Sequence, residues 1–537
     1  MPIALRMARR SDDTQRILDR LVADRVASRL YANDTTLWVT GADASERLGW
    51  TDFEERARSA IAVAEQIRGE LLASGVDRVL LCGMGGSSLA PEVISRWAGV
   101  PLTVIDSTHP DFLSAALGAD LTRTLVVVSS KSGSTIETMS HRAAFTAAFT
   151  AAGVDPAERV LVITDPGSPL EDAARDAGQR VCFADPDVGG RFSALTAFGL
   201  VPTALAGADV RELLADACAA RANLMIDSPD NPALQLAATI AAGLPARYVL
   251  GIAEAPGTDW GLGSWIEQLV AESTGKQGHG VFPIALPHSA PELRDPSANL
   301  VRVRLGASET EAASSEPAEL TVSADLGAQF LLWETATAIL GHLLEIDPFD
   351  QPDVESAKVA ARAVLEQQDA SSIEDPVSVL SDASASVLAS PAGVVPADAT
   401  ALLEALRESV PTNGYLAIQA YLDPAGPSEP ALDRLRDALA NSFGIPVSLG
   451  WGPRYLHSVG QLHKGGPALG AFLQLCDSAA PELEIPGSES GFGTLISAQA
   501  RGDRDVLASR GRPVFALASG APADLIDTLV RAAEALG

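Results

Sequence analysis

Short apolar runs, each closed by a small or polar residue, recur from Arg78 onward: RVLLC (78–82), LTVID (102–106), TLVVVSS (124–130), RVLVITD (159–165) and VCFAD (181–185). Between them lie stretches rich in Ala, Leu, Glu and Arg. Runs of this length, rich in Val and Ile and bounded by turn residues, predict buried strands. Strands spaced by helices imply a doubly wound parallel sheet.

The pattern restarts after a helical connection near 208–245, with ARYVLGIAE (246–254), GVFPIAL (280–286), LVRVRLG (300–306) and LTVSAD (320–325). A long apolar segment at 327–346 predicts a helix, and the whole predicts a second α/β unit. Ser, Ala, Asp and Pro crowd residues 365–396, which reads as a linker. Beyond it GYLAIQAYLD (414–423), a helix over 431–442, IPVSLGW (445–451) and PVFALAS (513–519) predict a third, smaller α/β domain. Residues 1–55 read as a helical leader, with TTLWVTG (35–41) as a strand candidate. The expected organisation is a leader at 1–55, α/β units at 56–210 and 211–365, and a linker plus C-terminal α/β domain at 366–537.

Composition narrows the function classes. With 537 residues, 47% of them hydrophobic, the chain can bury several cores. A formal charge of −30 gives a field that repels phosphate backbones and anionic membranes, so neither nucleic acid nor membrane is an expected partner. A small anionic ligand would need local donors and a cation of its own. Four cysteines, none in a CxxC pair, predict buried thiols in a reducing compartment. No long apolar run precedes a small-residue cleavage site, and a cytoplasmic location is expected.

Two corners concentrate polar chemistry. In RVLLCGMGGSSLAPE the glycines Gly83, Gly85 and Gly86 let backbone N–H groups approach a ligand, and Ser87 and Ser88 add hydroxyls where a helix starts. After TLVVVS, the loop SKSGSTIET again sets hydroxyls and one lysine at a strand end: Ser130, Lys131, Ser132, Ser134 and Thr135. Ligands of parallel α/β sheets bind at the carboxyl ends of strands. Together the loops predict a phosphate site.

Five motifs, GMGGSS, SSKSGSTIET, VGGRFSALTAFGLVP, WIEQLVAESTGKQGHG and IDPFDQPDVESAK, follow one another across about residues 80–358. In order and separation they resemble the successive signatures of the phosphoglucose isomerase (glucose-6-phosphate isomerase) family. The short actinobacterial type, similar to the isomerase half of fused transaldolase/phosphoglucose isomerase proteins, is the nearest in character. The resemblance implies two sugar isomerase (SIS) domains, interconversion of glucose 6-phosphate and fructose 6-phosphate through an enediolate, no metal or organic cofactor, and a homodimer.

It also implies roles. Aldose–ketose isomerisation needs a base, a cation or donor for the developing oxyanion, and help in opening the ring. Glu272 matches the family's proton-shuttling base and Arg191 the group facing the enediolate. Gln268, one helical turn before Glu272, would bond sugar hydroxyls. Gln351 would contact phosphate or sugar, and Lys358 would assist ring opening and acid–base transfer. Gly86, Ser87 and the 130–135 loop would hold the phosphate.

The pattern departs from the family after Lys276, where QGHGVFPIALPHSAPELRD lacks the usual histidine loop, although it contains His279 and His288. WGPRYLHSVGQLHKGGP (451–467), far along the chain, has a similar local pattern, so His457 or His463 is expected to fold over the site as the ring-opening acid. Three other functions are weighed. A phosphosugar sensor of SIS fold would keep the phosphate loops but would not need Glu272, Arg191 and Lys358 together. A dual enzyme would also take mannose 6-phosphate. Schiff-base chemistry at Lys464 would require a desolvated amine in an apolar pocket.

Overall fold

The computed structural model describes residues 3–8, 10–38, 46–308, 318–353, 365 and 376–537, and the strands within them form three sheets. In the first, all pairs are parallel and the spatial order is Thr103–Ile105, Arg78–Gly83, Thr124–Ser129, Val160–Thr164, Arg180–Phe183. Thr124–Ser129 is buried at every residue, which accounts for its unbroken valine run between two covered faces. Strand order reverses between Arg78–Gly83 and Thr124–Ser129. That switch point opens a crevice beyond their carboxyl ends, where both polar loops emerge.

The second sheet runs Ala4–Met7, Leu320–Ser323, Leu300–Gly306, Val249–Glu254, Phe282–Ala285. Ala4–Met7 pairs antiparallel with Leu320–Ser323, and the remaining pairs are parallel. Helix Leu326–Leu343 is buried along nearly all its length, as a helix apolar on every side must be. One hydrophobic core runs through both of these units.

The third sheet is ordered Ser378–Leu380, Ala385–Ala389, Val514–Ser519, Gly470–Asp477, Tyr415–Tyr421, Val447–Trp451. The first two strands are antiparallel and the last four mutually parallel.

The strands expected in the first two units lie where the apolar runs fall. Four readings change. The leader is not wholly helical: helices Asp12–Ala23 and Val26–Tyr31 follow a strand that completes the second sheet. Thr35–Leu37 forms a 3-10 turn rather than a strand, because the Asp34 carboxylate caps Thr36 N–H at 3.0 Å, and residues 39–41 of that candidate lie outside the described residues. The expected linker contains the antiparallel strands Ser378–Leu380 and Ala385–Ala389, joined to the third sheet through Val514–Ser519. Strand Gly470–Asp477 and helices Phe492–Ser509 and Pro522–Leu536 were not anticipated. No described helix is long and apolar enough to cross a membrane.

Candidate active site

A cavity of about 350 Å³ lies over the switch point of the first sheet. Its wall holds Gly86, Ser87, Ser130, Lys131, Ser132 and Thr135 from the two polar loops. Gly85–Ser87 forms a 3-10 turn, and helices Leu89–Ala98 and Ile136–Ala151 start directly behind the loops without a side-chain cap on their first N–H groups. Uncapped helix starts at a strand-end crevice present donors suited to an anion. Ser134 does not line the cavity; its hydroxyl lies 3.0 Å from that of Ser132, which does.

Two glycines set the wall. Gly85 has φ +57°, and a Cβ there would fall 2.5 Å from the His457 carbonyl oxygen and 2.7 Å from Gln268 Nε2. At Gly86 a Cβ would overlap the Gly190 carbonyl. The Gly85–Gly86 corner therefore lies against the His457 and Gly190 carbonyls and the Gln268 side-chain amide too closely for a Cβ, a contact open only to glycine.

Glu272 and Gln268 come from helix Leu262–Thr274 and share a face. The helix start is fixed by Glu254, whose carboxylate accepts from Trp260 N–H at 2.6 Å and from Gly261 and Gly263 N–H at 3.2 Å each. Arg191 sits in the 3-10 turn Gly190–Phe192, under a tenth exposed. Its Nη1 lies 3.1 Å from Glu272 Oε1. The guanidinium is held on its other edges by Ser273 Oγ (2.8 Å), Gln351 Oε1 (2.7 Å), Pro348 O (2.6 Å) and Asp350 O (2.9 Å). Such a fork fills the donor directions of arginine and leaves it little freedom.

Lys276, fully buried, donates to the carbonyls of Asp347 (2.8 Å) and Asp350 and to the Asp350 carboxylate. Burial, and next the positive charge of Arg191, push its amine down to about 8. It fastens the same 347–351 segment that cradles Arg191.

The C-terminal unit closes the cavity. His457, in the 3-10 turn Arg454–His457, lines it. Gln268 Nε2 reaches both the His457 carbonyl (2.7 Å) and Glu272 Oε2 (3.2 Å). The His457 ring places Nε2 3.0 Å from Oε1 of Glu137, a buried carboxylate that also accepts from Gln499 Nε2 at 2.7 Å. Arg454 ties this turn to the first unit through Glu92 (2.6 Å) and Asp106 (3.2 Å). Gln461 ties it to the end of helix Leu262–Thr274 through Gly275 O (2.9 Å) and to Asp353 (2.7 Å).

Several expected residues are not at the cavity. His463 is a core residue: its Nδ1 lies 2.9 Å from Tyr415 OH amid Phe282, Phe472 and Tyr455. Burial, reinforced by Lys464 and Arg512, holds its imidazole far below the usual value, so it is a neutral packing group rather than an acid at the site. His279 is exposed, and His288 lies 3.6 Å from Asp259 in an exposed pair. The Lys464 amine pairs with Asp503 at 2.5 Å, which is contrary to the free desolvated amine a Schiff base requires. Lys358 lies outside the described residues. Lys131 does line the cavity, but its Nζ contacts Asp165 Oδ2 at 2.6 Å and the Asp185 carbonyl at 3.1 Å.

Arg47, Glu137, Asp165, Ser273 and Lys276 were not singled out from sequence. The second residue of a helix directly after a hydroxyl-rich strand-end loop was the available signal for Glu137. Arg47 carried none. Among the described residues no cluster of His, Cys, Asp or Glu is arranged to hold a metal ion.

No family model matches the sequence. The chain is 31% identical over 344 residues to a probable glucose-6-phosphate isomerase of Haloarcula marismortui, covering 54% of this chain and 78% of that protein. It is 31% identical over 381 residues to a glucose-6-phosphate isomerase of Thermus thermophilus, covering 59% of this chain and 90% of that one. Among solved structures, a hypothetical protein from Thermus thermophilus superimposes with TM-score 0.56 at 27% identity, over 67% of this chain and 100% of that chain. A glucose-6-phosphate isomerase from Chlamydia trachomatis gives TM-score 0.56 at 19% identity, over 68% and 89% of the two chains, a likeness of fold.

Proposed function

The chain belongs to the glucose-6-phosphate isomerase family and is an aldose–ketose isomerase acting on a hexose phosphate; from that premise we propose that Glu272 and Arg191 carry out the interconversion of glucose 6-phosphate and fructose 6-phosphate. The buried Arg191–Glu272 pair, at the floor of a cavity whose other wall is lined with hydroxyls and helix starts, carries the reading.

The phosphate sits against Ser87 and the 130–135 loop, and its binding energy orients the sugar's first two carbons over the pair. Glu272, as carboxylate, takes the proton from C2 of the open aldose. The C1 carbonyl oxygen gains the negative charge and becomes an enediolate oxygen facing Arg191, whose Nη1 turns to it from Glu272 as that carboxylate is neutralised by the proton. Because Ser273, Gln351 and two carbonyls already fix that guanidinium, little reorganisation accompanies the new charge. Glu272 then returns the proton to C1, and proton exchange between the two oxygens completes the ketose. Gln268 holds the carboxylate and offers contact to sugar hydroxyls. His457, backed by Glu137, protonates the ring oxygen during opening, with Lys358 assisting. The enzyme works as a homodimer in the cytoplasm, where its four free cysteines stay reduced.

Turnover of fructose 6-phosphate, coupled to detection of glucose 6-phosphate, tests the reading in wild type and Glu272→Gln. Wild-type turnover and a loss of at least about a hundredfold in the variant are expected. A silent wild type, or a variant keeping most of its rate, rejects it. Mannose 6-phosphate in the same assay decides the range of C2 epimers.

A further inference from the structure

An anion entering a protein of net charge −30 needs an uncompensated cation at its site, and the charges lining the cavity are nearly all matched. Arg191 faces Glu272. Lys131, the cation of the phosphate loop, is bound to Asp165 at 2.6 Å with both side chains largely buried. Burial also pushes its amine below the usual value in spite of that partner.

Arg47 is different. It lines the cavity on the side of the hydroxyl loops, and its Nη1 donates to the Pro186 carbonyl oxygen at 2.6 Å. No carboxylate pairs with it among the described residues. The nearby Asp185 and Asp187 carboxylates are taken by Arg56, at 3.5 and 2.5 Å. Lys131 Nζ also reaches the Pro186 oxygen, at 3.3 Å, so the two cations converge on one acceptor beside Ser130, Ser132 and Thr135. One carbonyl satisfies a single donor of a guanidinium that has five. The remaining fork matches the geometry of a phosphate.

We propose that Arg47, delivered from the N-terminal segment, is the cation that clamps the phosphate of the substrate, while Lys131 and Asp165 brace the loop. This rests on the isomerase reading for its substrate, but not for its anion. Arg47 acts on binding common to ground and transition states, so its loss falls on KM rather than on kcat.

The test combines steady-state kinetics on fructose 6-phosphate with calorimetric titration of inorganic phosphate, for wild type, Arg47→Ala, Arg47→Gln and Arg47→Lys. Arg47→Ala and Arg47→Gln should raise KM about tenfold or more, weaken phosphate binding in parallel and flatten the fall of kcat/KM with salt. Arg47→Lys should recover part of each. Unchanged KM and unchanged phosphate affinity in Arg47→Ala would overturn the assignment. So would an equal loss in all three variants confined to kcat, which marks a structural role. If wild type binds phosphate through Arg47 but turns over no fructose 6-phosphate, the isomerase reading fails and the anion clamp stands.

Discussion

Arg191 Nη1 and Glu272 Oε1 lie 3.1 Å apart, with both side chains under a tenth exposed. Neither group can be removed without leaving the other buried and unmatched, which costs more than the pair contributes. Arg191→Lys keeps the charge but cannot keep four separate bonds to Ser273, Gln351, Pro348 and Asp350. Its kcat should fall by about a hundredfold or more, on the scale of one lost oxyanion donor, about 3 kcal/mol. Steady-state kinetics check this; an unchanged kcat would remove Arg191 from the reacting centre.

His457 and Glu137 should behave as one unit. Their contact at 3.0 Å orients the ring nitrogen opposite the one offered to the sugar. Glu137→Gln and His457→Asn should each lower kcat/KM by about tenfold or more, and the double variant should lose little beyond the worse single one. Additive losses in that double-mutant cycle would separate the two residues.

Lys276 gives a prediction in pH. Its amine is pushed down to about 8 by burial and by Arg191, against about 10.4 in an unfolded chain. Between those values the unfolded state binds more protons than the folded state, so this lysine's contribution to stability rises with pH. The unfolding free energy of wild type relative to Lys276→Met should therefore move in favour of wild type on going from about pH 7.5 to about pH 10. Denaturant titrations at the two pH values measure it; a constant or falling difference contradicts the assignment.

Gly86→Ala tests the junction of the loops. The added Cβ would overlap the Gly190 carbonyl, and forced overpacking costs about 1–3 kcal/mol. The variant should be destabilised by that amount and should also lose activity, because Gly190 is the neighbour of Arg191. Calorimetry and the coupled assay read the two effects; a variant equal to wild type in both would mean the loops are not in contact.

Much of this was legible in the chain because each piece is local. The strands around Leu81, Val127 and Ile163 announce themselves as unbroken β-branched runs, and the polar corners follow them directly. Strand Gly470–Asp477 was passed over although its pattern matches the anticipated strand Tyr415–Tyr421, where Gln419 stands in register with Gln474. In the fold that side chain donates to Ala500 O at 3.1 Å and accepts from Arg504 at 3.4 Å, partners supplied by an unanticipated helix. The same limit applied to the site. Glu272 and Gln268 sit one turn apart and could be paired on paper. The contacts of Arg191 with Pro348 and Asp350, and of His457 with Glu137, join segments far apart in sequence and depend on how three sheets pack. His463 shows the converse: a histidine beside glycines and a lysine looked reactive, yet aromatic neighbours place it in the core.

The strand Ala4–Met7 seals the edge of the second sheet against Leu320–Ser323. During synthesis it leaves the ribosome before the first two units, while its docking edge emerges only after most of them. At ordinary elongation rates that interval is on the order of tens of seconds. Throughout it these four residues have no strand to join, and once the edge appears it is open to any other extended chain until they arrive. Residues made before the edge they join are thus among the last to find their place, and their arrival closes the sheet to strangers.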